Sequence, residues 1–172
     1  PLGALFARSD MVDAVMAQGG FQHGHTYAGN PLACAAGLAV IEEIERNDLI
    51  GNAARMGDIL KSRLTGLMNR YPFIGDVRGK GLLLAFEMIA DRTTMEPLPP
   101  ALGAHQKLVD IAYENGLIIY SRRTRGGTSG DHFLVCPPMI VTEDGIDEIM
   151  TKLTLSLDRF AAEAGLGAES AA

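Results

Sequence analysis

Two periods of apolar residues alternate along this chain. Leu32, Ala35, Ala36, Ala39 and Ile44 fall near one stripe of a helix predicted from Pro31 to about Arg46. Its small residues permit close backbone approach. Asn47-Asp48 breaks this helix. A second follows over roughly 49–71, with Met56, Ile59, Leu60, Leu64, Leu67, Met68 and Tyr71 at three- and four-residue spacings and Pro72 as its stop. A short helix over 10–17, begun by Asp10, and a short buried strand over 2–7 precede them. Then β-type text appears: residues 74–78 lead through Gly79 and Gly81 into an apolar strand over 82–88. The proline-rich stretch 91–101 reads as an exposed loop, and 103–115 as a helix closed by Asn115-Gly116. Short strands are predicted over 117–120 and 133–136. Thr142, followed by Glu143 and Asp144, caps a last helix whose stripe is Ile146, Ile149, Met150, Leu153, Leu157 and Phe160. The tail from Ala161 is expected to fray. From about 50 to 162 this makes an α+β module, a small antiparallel sheet covered on one face by helices.

Composition narrows the function classes. The chain has 172 residues, 47% hydrophobic and 21% charged, enough for one core. A net charge of −6, with no basic cluster longer than Arg122-Arg123, argues against nucleic acid. No apolar run approaches the ~18 residues that span a membrane, and no leader is visible. Cys34 and Cys136 are too few for a disulfide framework and are expected to be buried free thiols, consistent with a cytoplasmic protein.

The most informative stretch is His23-Gly24-His25-Thr26-Tyr27-Ala28-Gly29-Asn30-Pro31-Leu32-Ala33-Cys34-Ala35-Ala36. Asn30 stands where an N-cap belongs and Pro31 at the first helical position. Such a loop can hold an anionic group at a helix start, or serve only to lead the chain into the helix. His23 and His25, without an acidic or cysteine partner nearby, make a weak metal pair, so no metal site is assigned. Asp131-His132 has no serine or cysteine in a nucleophile elbow beside it, which excludes a hydrolase. Arg78 and Lys80, flanked by glycines, read as a structural turn, while Glu87 and Glu114 carry no pairing signal.

Taken with Pro1-Leu2-Gly3-Ala4-Leu5-Phe6-Ala7, with Asp76-Val77-Arg78-Gly79-Lys80-Gly81-Leu82-Leu83 and with Gly130-Asp131-His132-Phe133-Leu134-Val135-Cys136-Pro137-Pro138, the loop arrives in a specific order. In that order the chain resembles the C-terminal part of the class III aminotransferases of the ω-amino acid and amine type. These are pyridoxal-phosphate enzymes of the aspartate aminotransferase-like fold, fold type I. The resemblance implies that residues 1–48 end the large cofactor-binding domain, with strand, phosphate-contact loop and connecting helix. Residues 49–172 would be the small α+β C-terminal domain, and part of the apolar surface would belong against segments outside the chain.

The resemblance also implies site residues. The Thr26 hydroxyl, with a backbone donor from His25, would bind the cofactor phosphate of the other subunit of a homodimer; otherwise the hydroxyl caps its own loop. In the stretch 121–130, read as a long glycine-rich loop, Arg125 is the first choice and Arg122 the second for holding a substrate carboxylate, against a plain solvated basic loop. The family's cofactor-holding lysine would precede residue 1, since Lys61, Lys80, Lys107 and Lys152 lie in other contexts. No catalytic residue is therefore expected in this chain, and alone it would be inactive. The whole enzyme would move an amino group from an amine or ω-amino acid to a keto acid such as pyruvate. A racemase, mutase or decarboxylase of the same fold would share these motifs. The rival from another class is a noncatalytic α+β interaction domain.

Overall fold

The computed structural model describes residues 2–167. It forms two compact units, residues 1–48 and 49–172, divided at Asp48.

The first unit holds two helices. Helix α1 (Ser9–Ala17) is followed by α2 (Pro31–Arg46), whose start is fixed by Asn30 and Pro31. Asp48, with φ of +46°, ends the run in the left-handed region, where a non-glycine residue is strained. Residues 2–7 form no strand: they have no regular structure and no backbone partner among the described residues, with Leu5 and Phe6 89% and 94% exposed. The apolar pattern was right for a strand, yet a strand exists only when a neighbour takes its N–H and C=O groups. Among the described residues none does. Leu2 instead lies beside Gly37, at a hollow of about 460 Å³ lined also by Ala33, Ala36 and Val40.

The second unit is built from α3 (Leu49–Arg70), β1 (Ile74–Lys80), β2 (Leu83–Asp91), β3 (Glu96–Pro97), α4 (Ala104–Glu114), β4 (Tyr120–Arg125), β5 (Ser129–Val135) and α5 (Glu143–Ala164). The sheet is antiparallel in the order β1-β2-β5-β4, with β3 added to β2. Strand β2 alternates, so Leu84, Phe86 and Met88 turn into the core with Phe133 and Val135 of β5. Phe86 and Phe133 stack across the two strands with centroids 5.1 Å apart. Leu60 and Leu64 of α3, Leu108 and Ala112 of α4, and Leu153, Leu157 and Phe160 of α5 close the core. Helix α3 comes near the β1–β2 turn because Gly57 has no Cβ; one would strike the Gly81 backbone.

Five expectations need correction here. The stretch 91–101 is not simply an exposed loop: Glu96–Pro97 pairs with β2, and Leu98 is buried in the core. Strand β4 begins at Tyr120 rather than 117, and residues 121–130 are a hairpin, not a loose loop. Gly126 and Gly127, at φ of +61° and +75°, turn the chain in three residues, and Thr128 donates both its N–H and its hydroxyl to the Arg125 carbonyl. Cys34 and Cys136 are exposed rather than buried, Cys34 in the first turn of α2 and Cys136 past the end of β5. Finally, α5 continues to Ala164 with Ala161 buried, so the tail does not fray from there; residues 168–172 lie outside the described part. Thr142 caps α5 as expected, accepting from the Gly145 N–H.

Candidate functional site

The loop before α2 is organised by its own groups. Asn30 Oδ1 accepts from the N–H groups of Leu32 and Ala33 at 3.0 and 3.1 Å, and the Asn30 carbonyl takes that of Cys34. Pro31 has no N–H, so the first turn of α2 has no donor left. The helix start is therefore not where an anion would sit. Further back, the Ala28 N–H donates to the His25 carbonyl at 2.7 Å and that of Asn30 to the Tyr27 carbonyl at 3.0 Å. His25 takes a left-handed φ of +47°, and its N–H donates to His23 Nδ1 at 3.0 Å. The backbone donor expected from His25 is thus engaged within the loop. Thr26 is different: it is exposed, and neither its hydroxyl nor its N–H has a partner among the described residues. Those two adjacent donors suit a phosphate oxygen, and they belong to the loop, not the helix dipole. No group of three or more metal-ligating side chains occurs among the described residues.

The three arginines of β4 are sorted by the strand's alternation. Arg122 stands on the open face, with its guanidinium 4.9 Å above the Tyr120 ring and no carboxylate partner among the described residues. Arg125 lies on the alternate set of positions, where its Nη2 donates to the Met95 carbonyl at 3.3 Å. The two candidates therefore do not face the same way. Arg123, between them, turns toward the helices: its Nε donates to Asp131 Oδ1 at 2.9 Å and its Nη2 to the Pro100 carbonyl at 2.9 Å. Asp131 is fully buried, and His105 of α4 brings Nδ1 to 3.3 Å from the same oxygen.

Sequence reasoning missed this buried ion pair. A signal existed: Asp131, Phe133 and Val135 share one face of a period-two strand, so a charge on that face had to be buried and partnered. It also left Glu87 and Glu114 without partners. Arg78 spans Asp76 and Glu87, at 2.6 and 2.7 Å, and Arg159 reaches Glu114 at 2.5 Å. The partners of Glu87 and Glu114 stand 9 and 45 residues away in the sequence. Arg78 and Lys80 lie within β1 rather than in a turn. Of the lysines, Lys152 holds Glu148 and the Gly116 carbonyl, and Lys61 donates to the Gly79 carbonyl.

Comparison with known proteins gives the chain its relatives. The family described as aminotransferase class-III matches residues 1–157. The taurine–pyruvate aminotransferase of Bilophila wadsworthia is 40% identical over 130 residues, which are 76% of this chain and 28% of that protein. The leucine/methionine racemase of Thermococcus litoralis is 37% identical over 153 residues, 89% of this chain and 32% of that protein. Among solved structures, a pyridoxal-phosphate-bound amine transaminase from an uncultivated Pseudomonas species aligns with a TM-score of 0.71 and 37% identity, covering 81% of this chain and 30% of that one. The chain spans about a third of the length of the curated relatives it matches. Its fold is the α+β arrangement of the fold type I transaminases. The chain belongs to the class III aminotransferases.

Proposed function

We propose that this chain is the C-terminal portion of an aminotransferase that moves an amino group from an amine or ω-amino acid to a small keto acid such as pyruvate. The observation that carries the reading is the pair of unpartnered donors on Thr26, in a loop where the His25 N–H and the first-turn N–H groups of α2 are already engaged. Pyridoxal phosphate, the family's cofactor, presents a phosphate dianion that such donors suit, and when bound it supplies the electron sink for the transfer. Thr26 would hold that phosphate from across a homodimer interface, with His25 shaping the loop through its left-handed backbone. Residues 1–48 would be the end of the large domain and residues 49–172 the small domain. The apolar residues exposed in the first unit would then be covered by the rest of the enzyme.

For the substrate carboxylate, two arginines stand available. Arg122 is the better supported, because it is exposed, lies over Tyr120 and has no competing carboxylate, whereas Arg125 donates to the Met95 carbonyl. A guanidinium binds a carboxylate through two parallel hydrogen bonds, and losing them should raise KM for the keto acid about 10- to 100-fold. The cofactor-holding lysine would lie outside residues 1–172, so the chain alone would not catalyse. A cytoplasmic location fits this reading; no helix among the described residues is long and apolar enough to cross a membrane.

The identity to a racemase supports a second reaction on the same residues. One assay separates the two. The full-length enzyme, given an amine donor and pyruvate, should produce alanine in step with the amine consumed. Inversion of a chiral amino acid with no keto acid consumed would replace the transfer reading with racemisation. Neither reaction, in a protein loaded with the cofactor, would remove both.

A further inference from the structure

Strand β4 is the outer strand of the sheet: it pairs with β5 on one side and with nothing on the other among the described residues. Its sequence, Tyr-Ser-Arg-Arg-Thr-Arg, does little to define its own register, because arginines stand at neighbouring positions on opposite faces. A slip of one residue would exchange every side chain between the faces, carrying Arg122 toward the helices and Arg123 into the open. A slip would have to rebuild the three-residue turn in which Gly126 and Gly127 are left-handed and Thr128 bonds the Arg125 carbonyl, so turn and side chains set the register together.

We infer that Asp131 is a positioning residue that sets this register and so decides which arginine is presented on the open face of the sheet. The carboxylate is fully buried on the helix side and directly opposite Arg123 in the ladder. Its Oδ1 receives Arg123 Nε at 2.9 Å, and His105 approaches from α4. Its Oδ2 is buried without a hydrogen-bond partner among the described residues, so the charge depends on Arg123 for compensation. A slip that sets Thr124 opposite Asp131 would leave the carboxylate without its guanidinium, and a slip that sets Arg122 there would break the contacts that Ser121 and Arg123 make with the His105 and Pro100 carbonyls. Two more contacts read the same register: Arg123 Nη2 to the Pro100 carbonyl, and the Ser121 hydroxyl to the His105 carbonyl at 2.6 Å. Burying an ion pair adds little net stability, but it discriminates strongly between registers. With Arg123 held inward, Arg122 must point outward over Tyr120.

This rests on the reading of Arg122 as the carboxylate-binding arginine, and the experiment keeps the two separable. In the full-length holoenzyme, KM and kcat are measured for pyruvate and for acetaldehyde, an acceptor that lacks the carboxylate. Asp131→Asn keeps the shape and removes the charge. It should raise KM for pyruvate about tenfold while leaving kcat and the acetaldehyde KM within about twofold. In an Arg122→Met background it should add nothing, because it acts through Arg122. Arg123→Lys is measured in the same cycle and should show the same selective rise, so a folding failure of one variant leaves the other to decide. Equal changes for both acceptors, or a shift that persists in Arg122→Met, would overturn the positioning role alone. If Arg122→Met itself leaves the pyruvate KM unchanged, the carboxylate reading falls, and the register proposal with it.

Discussion

Residues 2–48 and residues 49–167 carry equally clear secondary-structure signals, yet every buried residue of the described chain lies in the second group. Helix α2 has an asparagine cap, a proline at its first position and an apolar stripe, and still buries nothing. Helix α5, with a threonine cap and a similar stripe, buries Ile146, Leu153, Leu157 and Phe160. Caps and periodicity thus specify where a helix begins and which side is apolar. They do not supply what the apolar side packs against, and packing is where most helix stability arises.

The sharpest way to break this comparison is to separate the units. Residues 49–167 alone should unfold in one cooperative transition with slow amide exchange in β2 and β5. Residues 2–48 alone should show little helix by circular dichroism and no transition. A cooperative transition in the shorter piece would show that its local signals suffice.

Next in size is a pair of truncations. Phe133→Ala removes a ring stacked on Phe86 at the centre of the core, and should cost about 3–5 kcal/mol in denaturant unfolding of the second unit. Phe6→Ala removes a ring that is 94% exposed and should leave that transition where it is.

A pH titration tests the second unit's polar seam. Tyr71 is buried, and its hydroxyl donates to Asp158 Oδ1 at 2.7 Å, with Arg70 on the same carboxylate. Burial first, and then the Asp158 carboxylate, push the Tyr71 phenol well above its ordinary 10.0. The folded state therefore keeps this proton where the unfolded chain has lost it. Its contribution is complete below pH 10 and declines as pH rises beyond that. Tyr71→Phe should lose about 1 kcal/mol near neutral pH through the missing hydrogen bond, and its stability should fall less steeply above pH 10.

The smallest effects come from the caps. Asn30→Ala and Thr142→Ala should each remove about 1 kcal/mol of helix stability. In α5, packing should hold the helix and only the unfolding midpoint should move. In an isolated 2–48 peptide, the residual α2 signal should disappear altogether.

These differences also explain how far the sequence could be read. The helices of the second unit, apart from the end of α5, were legible to within a residue or two because their apolar stripes match the period and Thr142 and Pro72 punctuate them. Residues 2–7 misled because an apolar run says nothing about a partner strand. Leu98 misled because one apolar residue between Pro97 and Pro99 has no period, though it is fully buried. The arginine segment was taken for a loop because its glycines were weighed above the alternation of Ser121, Arg123 and Arg125. In the candidate site, Thr26 was visible from the motif, but that the His25 N–H and the first-turn donors of α2 are already spent required the geometry. Asp131 was in plain sight as a charge on a core-facing strand position.

The most direct test of the account is the affinity of the full-length enzyme for pyridoxal phosphate, by equilibrium dialysis, with Thr26→Ala and Thr26→Ser beside the natural residue. If the Thr26 hydroxyl holds the phosphate, Thr26→Ala weakens binding about tenfold, and Thr26→Ser, which keeps the hydroxyl, stays within about twofold. Unchanged binding in Thr26→Ala, or equal loss in both variants, would contradict the phosphate role on which the functional reading stands.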